Sequence, residues 1–359
     1  MLRTKLLSTI LALLALSSPL TILAEEHPLS AIPLRNIGPA LTSGRISDFA
    51  FVPGQFQSFY VAMASGGVWK TENNGITWQP VFDNEGSFAI GVVELDPSNP
   101  NIVWVGSGEN NAQRSVGFGD GVYKSIDGGK NWKHMGLKDS GHISMIRFHP
   151  EDSNTVYVAA QGPLWNAGGD RGLYRSTDGG ATWERILDID ENTGINEFVI
   201  DPADPEVIVA SSYQRRRHVW TLINGGPGGG IHKTIDGGAT WRKIEGGLPG
   251  GELGRIGLAT APSAPNMIYA IVEASEKDQG IYRSTDFGES WDKRSDHMTQ
   301  SPQYYNELYV DPKNPDRVYS VDTFTHVSED GGASWDRISF KNRHVDDHAL
   351  WICLLYTSP

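Results

Sequence analysis

Three long segments of unequal length carry the side chains best suited to bind a ligand. They are 108–119 (GENNAQRSVGFG), 162–171 (GPLWNAGGDR) and 211–230 (SSYQRRRHVWTLINGGPGGG). Their aromatic side chains are Trp165, Tyr213 and Trp220. Their polar candidates are Glu109, Asn110, Arg114, Asp170, Arg171, Arg216 and Asn224. Aromatic faces beside amides and charges suit a sugar ring, and equally a peptide. The alternative is that the aromatic side chains only pin long loops to the body.

A second cluster lies in the motif HVDDH, which contains His344, Asp346 and His348. Alternation along an extended chain sends these three side chains to one side, where they could bind a divalent metal. Nothing in the sequence fixes a further ligand, so a solvated loop with an acid-paired histidine is the competing interpretation.

A third group consists of carboxylates in the first strand of successive repeats. These are Asp48, Glu94, Glu197 and Glu307, and comparable strands carry Arg45, Arg147 and Arg255. Charges in such positions are seldom buried without a partner, so we expect carboxylate–arginine pairs with a structural role.

All these residues belong to an internal repeat. The pattern Ser/Thr-x-Asp-x-Gly-x-Ser/Thr-Trp recurs, as in STDGGATW at 176–183, and successive tryptophans stand 44 to 58 residues apart. The acidic position is occupied by Asp127, Asp178, Asp236, Asp286 and Asp330, and by Asn73 in the first copy. A carboxylate there accepts bonds from its own hairpin, and the tryptophan covers the turn. We therefore assign these residues a structural role.

Each repeat contains four short strand patterns, which is typical of one blade of a β-propeller. Six units are complete. A seventh begins at 346–352 (DDHALWI), which aligns with YYNELYV at 304–310. At the other end, 34–38 aligns with an outermost strand. The sequence therefore predicts an all-β propeller of four-stranded antiparallel blades, with seven blades of which the last is incomplete in this chain.

The ends of the chain differ from the repeats. Residues 1–24 resemble a signal peptide, because Arg3 and Lys5 precede the apolar run 6–16; an uncleaved anchor is the alternative. Residues 25–33 are then a lead-in, 34–352 the propeller, and 353–359 a tail foreign to the fold. We expect a secreted, periplasmic or cell-surface protein.

The composition limits the classes of partner that the protein could bind. The net charge of −13 disfavours nucleic acid and anionic lipid as partners. The single cysteine, Cys353, excludes an intrachain disulfide. No cofactor motif is present, so we expect no cofactor. The expected partner is a polysaccharide or an extracytoplasmic protein, bound by a monomer that does not span a membrane beyond the signal peptide.

The repeats at 34–352 resemble the Asp-box (BNR) propellers, in particular the group that contains the N-terminal domain of sortilin and the xyloglucan-active glycoside hydrolases. The resemblance implies an exported glycan- or protein-binding scaffold. The alternative is a glycoside hydrolase whose active site is completed by a downstream propeller. A sialidase is disfavoured, since Arg215, Arg216 and Arg217 are adjacent and cannot converge from separate blades. No position matches the family's catalytic aspartates, so the catalytic residues stay unassigned.

Overall fold

The computed structural model describes residues 44–113 and 115–353. Within these ranges all the regular elements are β-strands, and no helix is long and apolar enough to cross a membrane. The predicted signal peptide, the lead-in, the strand at 34–38, Arg114 and residues 354–359 lie outside the described residues.

The strands form six antiparallel sheets, here called blades 1 to 6, and each blade takes four consecutive strands of the chain apart from one inserted hairpin strand. Blades 1 to 3 contain β1 (Ile46–Phe51), β2 (Phe59–Met63), β3 (Gly67–Thr71), β4 (Gln79–Pro80), β5 (Ile90–Leu95), β6 (Val103–Ser107), β7 (Val122–Ser125), β8 (Lys133–His134), β9 (Ile143–Phe148), β10 (Val156–Ala160), β11 (Gly172–Ser176) and β12 (Glu184–Leu187). Blades 4 to 6 contain β13 (Thr193–Ile200), β14 (Ile208–Arg217), β15 (Leu222–Asn224), β16 (Gly230–Thr234), β17 (Arg242–Ile244), β18 (Ile256–Ala261), β19 (Ala264–Val272), β20 (Gly280–Ser284), β21 (Asp292–Ser295), β22 (Glu307–Val310), β23 (Val318–Val321), β24 (His326–Ser328) and β25 (Asp336–Arg337).

The blades form a propeller because the middle strands are apolar on both faces. In β6, Val103 and Val105 join a core shared with blade 1, whereas Trp104 between them joins a core shared with blade 3. The first strands of successive blades lie side by side in chain order, from β1 to β22, and surround a central channel. The all-β class and the four-stranded antiparallel blades predicted from the sequence are confirmed.

The blade count differs from the expected seven, because the described residues form six blades. The expected strand at 346–352 is not formed: Asp346 has a left-handed backbone (φ 80), which interrupts an extended chain, and no further strand is described beside it. The segment instead contacts the propeller through its rings. Trp351 stacks on Phe51 of blade 1, with ring centroids 3.6 Å apart, and His348 stacks on Tyr305 before β22 at 4.8 Å.

The repeated turn is held by its acidic residue. In blade 3 the Asp178 carboxylate accepts hydrogen bonds from Thr182 Oγ1 (2.6 Å), Thr182 N (2.9 Å) and Ser176 Oγ (2.8 Å). These bonds to the charged form lower the pKa of Asp178 to about 2. Gly179 and Gly180 both have positive φ, which other residues rarely adopt. The carboxylate is thus engaged within its own hairpin.

The tryptophan of the same turn connects neighbouring blades. The indole N–H of Trp132 in blade 2 donates to the carbonyl of Val81 in blade 1 (2.6 Å), and that of Trp183 in blade 3 donates to Met135 in blade 2 (2.6 Å). Trp335 in blade 6 donates to Ser295 Oγ in blade 5 (3.1 Å). Each of these bonds points back to the preceding blade.

Blade 1 offers a test of the carboxylate, because Asn73 replaces the aspartate. Its Oδ1 accepts from Thr77 N (2.9 Å) and its Nδ2 donates to Thr77 Oγ1 (2.8 Å). We expect Asn73→Asp to raise the thermal midpoint at pH 7 by about 1–2 °C, since a charged acceptor makes the stronger bond. The folded pKa of the new aspartate should be lowered, as in Asp178. The gain should therefore be present above about pH 4 and disappear as the pH falls towards 2.

The control is Asn342→Asp, which makes the same charge change at an exposed position. Thermal unfolding of both variants at several pH values is the measurement. An Asn73→Asp gain that is absent at pH 7, or that grows on acidification, would contradict the role assigned to the carboxylate.

Candidate functional site

The long segments lie on the propeller face opposite the Asp-box turns, because in each antiparallel blade the second and third strands are joined at the end away from the third turn. One segment departs from the expected loop. Strand β14 continues to Arg217 and turns at 218–221, where His218 and Thr221 exchange backbone hydrogen bonds, and then pairs with β15. Segment 211–230 is therefore largely a protruding β-hairpin.

This hairpin carries an exposed aromatic pair. Trp220 is 82% exposed, and His218 stacks on it with ring centroids 5.4 Å apart at 10°. The neighbouring loop of blade 3 carries Trp165, which is 40% exposed. Of the large exposed aromatic side chains in the three long segments, Trp165 comes from blade 3 and Trp220 comes from blade 4. We call these two residues the tryptophan rim.

The two loops of the tryptophan rim are tied together. Arg217 N donates to the carbonyl of Leu164 (2.9 Å), next to Trp165. Arg216 lies between the loops, where its Nη1 donates to Asn192 Oδ1 (2.6 Å) and its Nη2 lies 3.5 Å from the carbonyl oxygen of Trp165. The exposed indoles are therefore carried by loops whose backbones are held in place by these hydrogen bonds.

Other predicted contact residues hold the loops instead. Tyr213 was expected to offer a stacking face, which is wrong: it is 1% exposed, because it lies within β14, and its hydroxyl donates to Asn224 Oδ1. Arg171 is also buried, and it donates to the carbonyls of Gly168 (2.9 Å) and Gln161 (2.6 Å). Asp170 accepts from Asp139 N (3.0 Å). For these residues the loop-pinning interpretation fits the contacts.

Glu109 and Asn110 line the central channel rather than the tryptophan rim. Glu109 is buried and forms an ion pair with Arg45, whose Nε lies 2.6 Å from the carboxylate and whose guanidinium lies over the ring of Tyr304. His348 also lines the channel. Tyr304 was not singled out from the sequence. Its position just before a first strand, next to the channel, was the available signal.

The channel encloses about 470 Å³ and is lined mainly by the first strands of the blades. Two of the expected ion pairs are present. Arg147 Nη1 lies 2.5 Å from Glu94, and Arg255 Nη2 lies 2.7 Å from Glu307. Arg45 pairs with the loop residue Glu109 rather than with a first-strand carboxylate. The channel lining thus combines apolar strand residues with paired charges.

Two further carboxylates near the channel have no arginine of the described residues in direct contact and accept from backbone N–H groups instead. Glu197 accepts from Leu258 N (2.5 Å), and Asp48 accepts from Val93 N (3.1 Å) and Phe49 N (2.8 Å). Burial, assisted by the charge of Glu307, raises the pKa of Glu197 to about 8. Burial likewise raises the pKa of Asp48 to about 7. Carboxylates with raised pKa values occur at acid–base sites and also in structural ion networks.

The metal site expected at His344, Asp346 and His348 is not assembled. Among the described residues, no group of three or more His, Cys, Asp or Glu side chains could hold a metal ion. The Asp346 carboxylate accepts from the hydroxyl of Tyr305, and its Oδ1 lies 3.3 Å from His348 Nε2. His344 is exposed and contacts the carbonyl of Val345. The left-handed backbone at Asp346 breaks the alternation on which the metal expectation depended.

Comparison with known proteins agrees with this architecture. A family model for sortilin (neurotensin receptor 3) matches residues 66–218, 120–279 and 171–314, which together span more than half of the chain. The chain belongs to the sortilin family. The match supports the Asp-box propeller that the repeats predicted.

Relatives of the sortilin-family chain include glycoside hydrolases. A probable oligoxyloglucan-reducing end-specific xyloglucanase of Neosartorya fischeri is 27% identical over 241 residues, covering 64% of this chain and 26% of that protein. A Paenibacillus xyloglucanase is 24% identical over 343 residues, covering 85% and 32%. The chain thus spans about a third or less of their length. The structure of a Niastella koreensis GH74 enzyme has a TM-score of 0.59 at 19% identity, covering 81% of this chain and 46% of that one, and it shows a shared fold.

The raised pKa of Glu197 predicts how stability depends on pH. The folded protein keeps a proton that the unfolded chain loses near its ordinary pKa of 4.5. The free energy of unfolding should therefore fall as the pH rises from about 5 to 8, and then level off. Glu197→Gln should flatten this slope and be more stable than the wild type at pH 9.

Chemical denaturation across this pH range measures the effect. Glu252→Gln, at an exposed position, is the matched control and should keep the wild-type slope. A Glu197→Gln variant with an unchanged slope would show that Glu197 is ionised in the folded protein at neutral pH.

Proposed function

We propose that this propeller is an exported glycan-binding module of the xyloglucanase-like group, which binds a polysaccharide chain across the tryptophan rim. The observation that carries the proposal is the exposure of Trp220 (82%) on a hairpin fixed by hydrogen bonds to the neighbouring loop. A large apolar ring exposed to water costs free energy, and a rigid backbone prevents it from folding away. Such a ring is suited to stacking on a sugar face.

Polar groups beside the indoles complement this surface. Arg216 is half-buried between the two loops, and its guanidinium lies beside the backbone of Trp165. A sugar stacked on Trp165 or Trp220 would present its hydroxyl groups around the edge of the sugar ring. Arg216 lies on the same surface and is suited to bond them. The xyloglucanases among the relatives favour a plant-type β-glucan as the ligand.

The tryptophan rim leads to a direct test. Trp220→Ala and Trp165→Ala should each weaken binding of xyloglucan oligosaccharides, by about tenfold for Trp220, with a thermal midpoint close to that of the wild type. The reason is that truncating an exposed ring removes a stacking face without opening a core cavity. Calorimetric titration and thermal unfolding are the two measurements.

Trp183→Ala is the matched control, because Trp183 packs against the core and bonds to the preceding blade. It should lower stability and leave the affinity of the folded fraction unchanged. If Trp220→Ala lowered the thermal midpoint as much as Trp183→Ala, the rim would be a packing element. Unchanged affinity in both rim variants would reject the rim as the binding surface.

A second candidate is glycoside hydrolysis, and the specific observation in its favour is the pKa of about 8 at Glu197 beside Glu307. A general acid must hold its proton at working pH, as Glu197 does. Against it, Glu307 is engaged by Arg255, and both carboxylates lie inside the channel. Release of reducing sugar from xyloglucan that is abolished by Glu197→Gln, but not by Trp220→Ala, would favour the hydrolase.

We also propose that segment 346–352 joins blade 6 to blade 1 through ring contacts, and that residues 1–24 direct export. The stacking of Trp351 on Phe51 and of His348 on Tyr305 supports the first point, since Phe51 lies in β1 of blade 1 and Tyr305 lies just before β22 of blade 6. The N-terminal sequence of the mature protein, read after expression in a host with a secretion pathway, tests the second.

The contact at blade 1 predicts that Trp351→Ala lowers the thermal midpoint, because Phe51 loses its stacking partner and Phe56 loses a tilted ring contact. Trp351→Phe should restore most of the loss. Phe340→Ala, another half-exposed aromatic residue near the same end of the described chain, is the control and should have less effect. Equal effects of Trp351→Ala and Phe340→Ala would argue against a specific closure contact.

A further inference from the structure

A second exposed aromatic pair lies on the same face of the propeller, between blades 1 and 2. Phe88, in the link between β4 and β5, is 68% exposed, and Phe118, in the long loop between β6 and β7, is 77% exposed. Neither belongs to the tryptophan rim, which is built by blades 3 and 4. We call Phe88 and Phe118, together with Glu85 and Asp120, the acidic aromatic patch.

The two phenylalanines are held close together by their backbones. Ser87 Oγ donates to the carbonyls of Ala89 and Phe118, at 3.2 Å in both cases. Gly117 is so close to Ala89 that a Cβ at Gly117 would stand 2.6 Å from the Ala89 methyl group. The carbonyl of Phe88 also accepts from the N–H groups of Gly66 (3.0 Å) and Gly67 (2.9 Å). The two rings are therefore presented on a fixed backbone.

Two carboxylates border the rings. Asp120 is so close to Gly86 that a Cβ at Gly86 would stand 2.2 Å from its Oδ2. Burial and the charge of Asp120 raise the pKa of Glu85. In residues 44–113 and 115–353, no lysine or arginine lies within salt-bridge distance of Glu85 or Asp120. Two like charges are thus kept near each other without a lysine or arginine of the described residues beside them.

The other titratable side chains near Glu85 are those of Tyr123 and His134. His134 Nε2 contacts the carbonyl of Asp120 (2.7 Å), and its Nδ1 accepts from Gly136 N (3.1 Å). Both ring nitrogens of His134 are thus engaged by backbone groups. Asp120 itself accepts from Tyr123 (2.7 Å) and Ser107 (3.2 Å), both uncharged. The negative charge of the patch is therefore available to a ligand.

From these contacts we propose that the acidic aromatic patch is a docking site for a basic polypeptide segment, separate from the glycan-binding rim. Lysine and arginine complement both components of the patch, because they pair with carboxylates and are attracted to the faces of aromatic rings. Their alkyl stems, or a neighbouring apolar residue, cover the phenylalanines. A neutral glycan would leave the two carboxylates without a partner, and phosphate groups would be repelled.

The probe is a fluorescein-labelled short peptide that alternates lysine with leucine and serine, compared with a twin in which glutamate replaces every lysine. Fluorescence anisotropy should show binding of the lysine peptide, which weakens with added salt, and no binding of the twin. Phe118→Ser and Phe88→Ser should each weaken binding about tenfold. Glu85→Gln should weaken it about threefold and reduce the salt dependence.

Two matched controls localise the effect. Ile126→Ser removes an apolar side chain that is 72% exposed on the Asp-box face, and Glu276→Gln removes one exposed negative charge from blade 5. Both should bind the lysine peptide like the wild type. Equal weakening by Ile126→Ser or Glu276→Gln would show that the acidic surface binds basic peptides without a defined site, and would overturn the proposal.

The same variants test whether the patch is instead occupied by a glycan or by a second copy of this chain. If Phe88→Ser weakened xyloglucan oligosaccharide binding and left the peptide unaffected, the patch would belong to the glycan surface. If Phe118→Ser converted a dimer to a monomer in light scattering, the occupant would be a second copy of this chain. Either result overturns the proposal. Trp220→Ala should leave peptide binding unchanged, so failure of the glycan proposal is distinguishable from failure of this one.

Discussion

The structure depends on the packing of the Asp-box tryptophans of blades 2 to 6 into the apolar cores that these blades share with the blade before them. The aspartate fixes the hairpin, as Asp178 does through Thr182 and Ser176, and this sets the direction of the indole. The indole of Trp183 then reaches Met135 in the preceding blade. A four-stranded sheet alone would leave its two faces exposed. This packing gives each of blades 2 to 6 a fixed neighbour, and an indole hydrogen bond adds to it at Trp132, Trp183 and Trp335.

Because these contacts between blades lie at the Asp-box turns, the loops on the opposite face are free to vary in length. The loops there differ in length, and in blade 4 the insertion becomes a hairpin of β14 and β15 without disturbing the register of β14 with β16. Exposed aromatic residues can stand on such insertions, as Trp220 and Phe118 do. The division between a uniform face and a variable face explains how one fold serves binding proteins and enzymes.

The sequence was sufficient for the repeat and its strands, because the Asp-box spacing and the two-residue alternation are local signals. It also predicted that first-strand carboxylates pair with arginines of comparable strands, as Glu94 does with Arg147 and Glu307 with Arg255. It failed where the outcome depends on a particular turn. Tyr213 is buried because β14 extends past it, and the expected strand at 346–352 is interrupted by the left-handed Asp346. Neither the length of β14 nor the left-handed backbone at Asp346 can be read from the amino-acid composition.

The candidate site was predicted only in part, for a related reason. Sequence pattern identified the loops, but not which side chains within a loop face water. Trp220 and Tyr213 stand on the same hairpin, yet one is exposed and the other is buried against Asn224. Glu109 was grouped with the rim, although its pairing with Arg45 brings it to the channel. Long-range contacts of this kind are set by the closure of the ring.

The tryptophan bonds also give the ring a polarity. Those of Trp132, Trp183 and Trp335 all run from a later blade to an earlier one, so an outer strand is secured by the blade that follows it. The indole N–H groups of Trp241 and Trp291 have no hydrogen-bond partner among the described residues. At the joins of blades 3 and 4 and of blades 4 and 5, the tryptophan is therefore held by apolar packing without this bond.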